Sequence, residues 1–379
     1  MVIIGFVALS MAAGYSVLTA VAVVVWRMRR TARTSPRLLP VTVLKPLCGA
    51  EPGLYEQLRS FCRQDYPEYQ IVFGVRDPLD PACQVVERLV EEFPSLPIDL
   101  VINPQQHGSN CKTSNLINML ARARHDVLAM ADSDAFVGPD YLATVTAPLL
   151  DPGVGLVTSI YHGVPTPRIW SRLGAMYINE WYVPSVLLAW LFGHQGYASG
   201  QTLCMRRETL QAIGGLRAVA NHLAEDYQLG ELVRGLGLRI ELSPYVVNAE
   251  HDEPDFDSLS RHELRWMRTI RVLRPRSFCF MFLSFSLPLA VLGLGLVCAE
   301  SPPPMAAWGL FGITVAARLA LHLLHRLRDD RPILSDLWLL PARDLLFCWI
   351  WCRSFFTSRV TWRGNEFDVD ANGVMRRLS

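Results

Sequence analysis

From Val2 to Trp26 the chain carries no charged residue. A helix rising about 1.5 Å per residue makes that stretch long enough to cross roughly 30 Å of hydrocarbon. Five arginines (Arg27, Arg29, Arg30, Arg33 and Arg37) follow before any acid, and the positive-inside rule places what comes next in the cytoplasm. No basic stretch precedes the apolar run, as a cleaved signal peptide would require, so residues 1–27 are expected to be a retained transmembrane anchor.

Composition agrees with a chain partly in lipid. Hydrophobic residues make up 51% of the 379, and the mean hydropathy of +0.21 is high for a wholly soluble protein. A net charge of +1 argues against a nucleic-acid partner, which calls for a basic excess over the phosphates. The nine cysteines are scattered with no CxxC pair, a pattern of reduced cytosolic thiols rather than a disulfide frame or a zinc site.

Between about Val41 and Leu273 the texture changes. Val41–Leu44, Tyr69–Val75, Ile98–Ile102, Val127–Ala131 and Val154–Ile160 have the apolar character of buried strands. Leu54–Arg63, Cys83–Phe93, Thr113–Arg124 and Tyr141–Leu150 alternate with them at helical spacing. This predicts an α/β fold, a mostly parallel sheet with helices on both faces, whose ligands bind in the loops at the strand ends. The expected order is an anchor (1–27), a cytoplasmic catalytic domain (38–276), a transmembrane helical hairpin (277–326) and a C-terminal segment (327–379). The hairpin would pair the apolar runs Phe278–Cys298 and Met305–His325, with Arg326, Arg328 and Arg331 keeping its end cytoplasmic. Ile333–Phe356 is apolar but interrupted by Asp336, Pro341, Arg343, Asp344 and Arg353, which makes it re-entrant or interfacial. Trp170–Phe192, aromatic-rich but holding Arg172 and Glu180, is either an interfacial helix guiding an acceptor or part of the core.

Several polar groups fall where such a sheet places chemistry. Asp132-Ser133-Asp134 follows a predicted strand; its carboxylates either ligate Mg²⁺ or Mn²⁺ against a diphosphate or are turn residues. Asp77 likewise follows a strand, as a nucleoside contact or as a cap at the turn with Pro78. Asp226, beside Glu225 at a helix start, either accepts a proton or complements the helix dipole. The loop from His107 to Asn115 opens a helix with backbone donors and Lys112, which suits an anionic nucleotide, and it has neither the Walker A nor the GxGxxG pattern. His262-Glu263-Leu264-Arg265-Trp266 lacks the second histidine of a zinc protease; its Arg and Trp fit either a leaving diphosphate or an interface anchor.

In order along the chain stand Leu44–Leu47 with Gly49, Gln64–Pro67, Arg76–Pro78 with Asp80–Ala82, Asn110–Leu116, Asp132–Asp134, Ala224–Tyr227 and Arg265-Trp266. In these stretches the sequence resembles the ceramide glucosyltransferase family, and within it the bacterial hopanoid-biosynthesis glycosyltransferases. The resemblance covers about Val41 to Arg276. It implies a GT-A fold, inverting transfer, a nucleotide-binding Asp77, a metal-binding Asp132 and a general base at Asp226. It further implies a UDP-sugar pocket lined by Lys45, Asn110, Lys112 and Asn115, and a catalytic signature at His262, Arg265 and Trp266, with His262 where the family carries Gln or Arg. The expectation is therefore transfer of N-acetylglucosamine or glucose from a UDP-sugar to a lipid hydroxyl at a bacterial inner membrane. The acceptor would be a hopanoid polyol or, alternatively, ceramide. A polysaccharide synthase would need a channel, for which three or four apolar segments are too few.

Overall fold

The computed structural model describes residues 1–28, 38–194, 196–300, 302–327, 332, 334–357, 359–362 and 365–377. Arg29, Arg30, Arg33, Arg37, Arg328 and Arg331, used above to orient the chain, lie outside them, as does Ile333. The chain forms two compact units that interleave in sequence. One is built from Met1–Arg30, Pro165–Gly193 and His251–Asn372, the other from Thr31–Val164, His194–Glu250 and Gly373–Ser379.

The second unit is the α/β fold expected. Its strands are β1 (Val41–Pro46), β2 (Tyr69–Val75), β3 (Ile98–Ile102), β4 (Val127–Met130), β5 (Ala135–Phe136), β6 (Val154–Pro165), β7 (Leu203–Arg206) and β8 (Arg239–His251). They lie in the order β3-β2-β1-β4-β7-β6-β8-β5. The first four are parallel, and β7 turns antiparallel to β4 and β6. The fully buried pattern of β2 and β4 explains why they read as continuous apolar runs, since helices cover both faces. One layer, under the helices Leu54–Cys62, Ala82–Glu92 and Tyr141–Thr146, includes Val43, Phe61, Ile71, Phe73 and Tyr141. The other, including Leu44, Leu116, Met119, Leu128 and Leu229, lies under Cys111–Met119 and Glu225–Gly235.

The first unit is helical. Val2–Met28 and Met305–Arg326 are each long and apolar enough to cross a membrane. The predicted single span Phe278–Cys298 is broken instead: Pro275–Ser284 and Ser286–Cys298 meet at 66°. Pro288 gives the reason, because its ring would strike the carbonyl of Ser284 in a continuous helix, whereas in a first turn its missing N–H costs nothing. Val2–Met28 and Ser286–Cys298 cross at two glycines. A Cβ on Gly5 would stand 2.6 Å from the Gly293 carbonyl oxygen, and one on Gly293 would stand 2.8 Å from that of Gly5. Small residues let helices approach this closely in lipid.

Apart from the exposed Arg353, the charges that interrupt Ile333–Phe356 and the Glu180 segment turn inward here. Glu180, in a π-turn (Ile178–Tyr182) between the helices Ile169–Tyr177 and Val183–Leu191, accepts from Arg318 Nη1 at 2.6 Å and lies 2.7 Å from His322 Nδ1. Arg318 also reaches Asp344 at 3.0 Å. Arg343 forms a bidentate pair with Glu263 at 2.6 and 2.7 Å, and Asp336 is paired with Arg172 and Arg326. The helix carrying Arg343 and Asp344, Leu340–Ser354, is shorter than the roughly 20 residues a span needs.

Glu263 and Arg343 are both buried, so removing one strands the other. Glu263→Leu should lower stability by about 3–5 kcal/mol, read as thermal unfolding in detergent. Glu263→Leu with Arg343→Met should recover most of that loss.

Candidate active site

β1 has β2 on one side and β4 on the other, with Leu44 opposite Val72 and Met130. The chain therefore leaves all three strands at one edge of the sheet, at the switch point where α/β ligands bind. Lys45, at the end of β1, is fully buried. Its ammonium donates to the Asp132 carbonyl oxygen and lies 3.8 Å from the centre of the Phe61 ring. Burial pulls its pKa down, against Asp134 and Asp132.

Asp132 and Asp134 stand just past β4. The Asp132 amide donates to the Gly200 carbonyl at 3.1 Å, and Asp134 accepts from Gln201 Nε2 at 3.1 Å. Burial, then the neighbouring Asp132, pushes the Asp134 carboxyl up. The facing wall is the start of the Glu225–Gly235 helix. There Asp226 accepts from the Gly200 amide at 3.0 Å and from the Tyr227 amide at 2.7 Å. Burial and then Glu225 raise Asp226 to about 6. Gly200 thus joins the two walls, giving its carbonyl to one and its amide to the other. A Cβ there would fall 2.7 Å from both Asp132 Oδ2 and Lys112 Nζ.

Lys112 bridges the same walls, 2.5 Å from Asp132 and 2.7 Å from Glu225. Burial disfavours its charge, but Asp132 and Glu225 outweigh that and hold its pKa above the ordinary value. Its helix starts at the N-cap Asn110, whose side-chain Oδ1 accepts from the Thr113 amide at 2.9 Å. The Asn110 side-chain amide donates to Glu225 at 3.1 Å and to the His222 carbonyl at 2.9 Å. The loop before Glu225 is clasped from the C-terminal tail, where the Leu223 amide donates to the Gly373 carbonyl and the Met375 amide to that of Asn221.

Asp132, Asp134, Asp226, Lys112 and Asn110 are therefore brought together. Lys45 and Asn115, expected to line a UDP-sugar pocket, are both buried. Asn115 is 3% exposed and donates to the Gly74 carbonyl at 2.7 Å, fastening its helix to β2. Asp77 leaves the same sheet edge, two strand spacings or about 10 Å from β4. It is exposed, and it accepts from the Leu79 amide at 2.9 Å, the turn contact a short carboxylate makes.

His262, Arg265 and Trp266 belong to the helical unit. Trp266 stacks on Tyr177 at 5.4 Å, and His262 Nδ1 lies 2.7 Å from Glu253. Sequence reasoning missed Gly200 and Gln201 altogether and gave Glu225 no task; the faint signal was a glycine between polar residues directly before a strand.

The donors available suit a hard divalent cation. Asp132 and Asp134 offer carboxylates, and beside Asp134 the Gln201 Oε1 is buried with no hydrogen-bond partner. An all-oxygen set of this kind matches Mg²⁺ or Mn²⁺.

The family model described as "Glycosyl transferase family 21" matches residues 6–375. The chain belongs to that family and is a glycosyltransferase. Ceramide glucosyltransferase 1 of Caenorhabditis elegans is 23% identical over 369 residues, spanning 93% of this chain and 76% of that protein. A ceramide glucosyltransferase of Komagataella phaffii is 30% identical over 113 residues, 29% of this chain and 22% of the other. Among solved structures, the mannosyltransferase PcManGT from Pyrobaculum calidifontis, in complex with GDP-Man and Mn²⁺, superposes with a TM-score of 0.58. Its identity is 20%, over 94% of this chain and 99% of that one, so the likeness is one of fold, the GT-A type.

Gly200→Ala should leave the melting temperature nearly unchanged, because the atoms its methyl meets are ends of side chains. Sugar transfer should fall about 100-fold, the effect of displacing catalytic groups by an ångström. Steady-state rates of the folded variant check this.

Proposed function

We propose that this family 21 enzyme moves a hexose from a UDP-sugar to a primary hydroxyl of a membrane lipid with inversion, and that the acceptor is ceramide. The observation that carries the reading is the joining of Asp226 to Asp132 through Gly200, and of the adjacent Glu225 to Asp132 through Lys112, which supports a base beside a cation and diphosphate seat. The ceramide assignment is supported by the names of the relatives aligned over most of the chain. A hopanoid polyol, the acceptor first expected, rests on the sequence resemblance alone and becomes the second reading. The two spanning-length helices support residence in a membrane. The arginines after the first of them support a cytoplasmic α/β unit, and a bacterial inner membrane rests on the sequence resemblance alone.

In this reading the Asp226 carboxylate accepts the proton of the acceptor hydroxyl as its oxygen bonds to the anomeric carbon. The bond from that carbon to the phosphate oxygen breaks, and UDP departs with the electron pair. Asp132 and Asp134 would hold Mg²⁺ or Mn²⁺, which when bound neutralises charge on the diphosphate. Asp77 holds the nucleoside, Asn110 and Lys112 position the diphosphate side of the pocket, and Lys45 and Asn115 brace it. A part for Arg265 and Trp266 rests on the sequence resemblance alone, and His262 is given none in this step.

A base must be ionised to work, so transfer should fall as pH drops through about 6, where burial places Asp226. Asp226→Asn should cut turnover by about 10²–10⁴ while UDP-sugar binding, followed by calorimetry, persists. Undiminished turnover would reject the base. Products formed with UDP-glucose and UDP-N-acetylglucosamine on ceramide, a hopanoid polyol and diacylglycerol, identified by mass spectrometry, should include glycosylceramide. A product on the hopanoid alone reverses the acceptor ranking, and one on diacylglycerol alone removes both.

A further inference from the structure

We propose that His251, Glu253 and His262 form a binding site for a transition-metal ion of the Zn²⁺ class. His251 ends β8, Glu253 follows two residues later, and His262 lies in the second turn of the helix Phe256–Leu273. Asp255 caps that helix by accepting from the Ser258 amide at 2.7 Å, so all three donors are held by a short, braced stretch of chain.

One ligand atom from each residue lies within 4.8 Å of the other two. Glu253 Oε1 is 2.7 Å from His262 Nδ1 and 3.8 Å from His251 Nε2. Ligands at about 2.0–2.1 Å from a tetrahedral zinc stand roughly 3.3 Å apart, a spacing between those two values. Small ring rotations therefore close the set around an ion.

An independent observation points to a ligand. His251 is 7% exposed, yet its Nε2 has no hydrogen-bond partner, an arrangement folded proteins rarely leave unused. Room is kept beside that nitrogen by Gly174, whose Cβ would stand 2.7 Å from it. The Glu253 backbone is pinned by Ser171, to which its amide donates at 2.8 Å. Burial keeps both imidazoles below their ordinary pKa, so at neutral pH each has a nitrogen lone pair to offer.

Two imidazoles and one carboxylate select Zn²⁺, Co²⁺ or a similar ion, in contrast to the all-oxygen seat of Asp132 and Asp134. Three protein ligands leave one coordination position for water or another small donor.

The test uses the full chain in detergent, stripped with chelator and titrated with Co²⁺ and Zn²⁺. One equivalent of Co²⁺ should bind with the intense visible absorption of a low-coordinate site, and Zn²⁺ should displace it and raise the melting temperature. His251→Gln and His262→Gln should each weaken Zn²⁺ binding by more than about 100-fold, beyond the effect of an outer-shell change. Glu253→Gln, which keeps a hydrogen-bonding side chain, should do likewise while its metal-free melting temperature stays near that of the parent. Asp132→Asn with Asp134→Asn should leave the Co²⁺ spectrum unchanged. No binding, equal binding in the three variants, or loss of the spectrum in the Asp132/Asp134 variant would each overturn the proposal.

Discussion

Carboxylates gathered in one recess repel one another, and at the C-terminal edge of the sheet Asp132, Asp134, Glu225 and Asp226 meet around a pair of lysines. Lys112 bridges Asp132 and Glu225 directly. Lys45 approaches from beneath, through the carbonyl of Asp132. Without these cations the recess would hold uncompensated negative charge in a setting that hydrates it poorly. With them, Asp226 keeps a raised pKa because burial and Glu225 outweigh Lys112. A carboxyl poised near neutrality suits proton transfer, the part proposed for Asp226.

The helical unit meets the same difficulty in an apolar setting. Arg318 and Arg343 lie in segments that read as hydrophobic, and each finds a carboxylate: Glu180 with Asp344 for one, Glu263 for the other. Glu180 reaches its partners from a π-turn, an irregularity common at functional sites. A fully bonded network of this kind rigidifies the elements that carry it, here four helical segments that share few neighbours in sequence.

Much of the sheet was legible. β2 and β3 occupy the spans read from the sequence, and β2, buried along its whole length, gives the apolar run expected of a strand covered on both faces. β5, β7 and β8 were not foreseen; β5 and β7 have only two and four residues, and the thirteen residues of β8 mix buried and partly buried positions without a regular alternation. Asp132, Asp134 and Asp226 were legible as acids at element ends. Gly200 was not, since its task is to offer a carbonyl and an amide to two distant walls, and any residue has those groups. Only the space its missing side chain leaves distinguishes it.

The amino-acid sequence by itself determined the alternation of strands and helices, the apolar length of Val2–Met28 and the chemical types gathered at the strand ends, because these follow from local periodicity and composition. The inward pairing of Arg318 and Arg343 and the burial of Lys45 and Asn115 were decided only by the tertiary structure. So was the gathering of Pro165–Gly193 and His251–Asn372 into one unit with the N-terminal helix. Each depends on a partner remote in the chain, and no local pattern of residues carries that information.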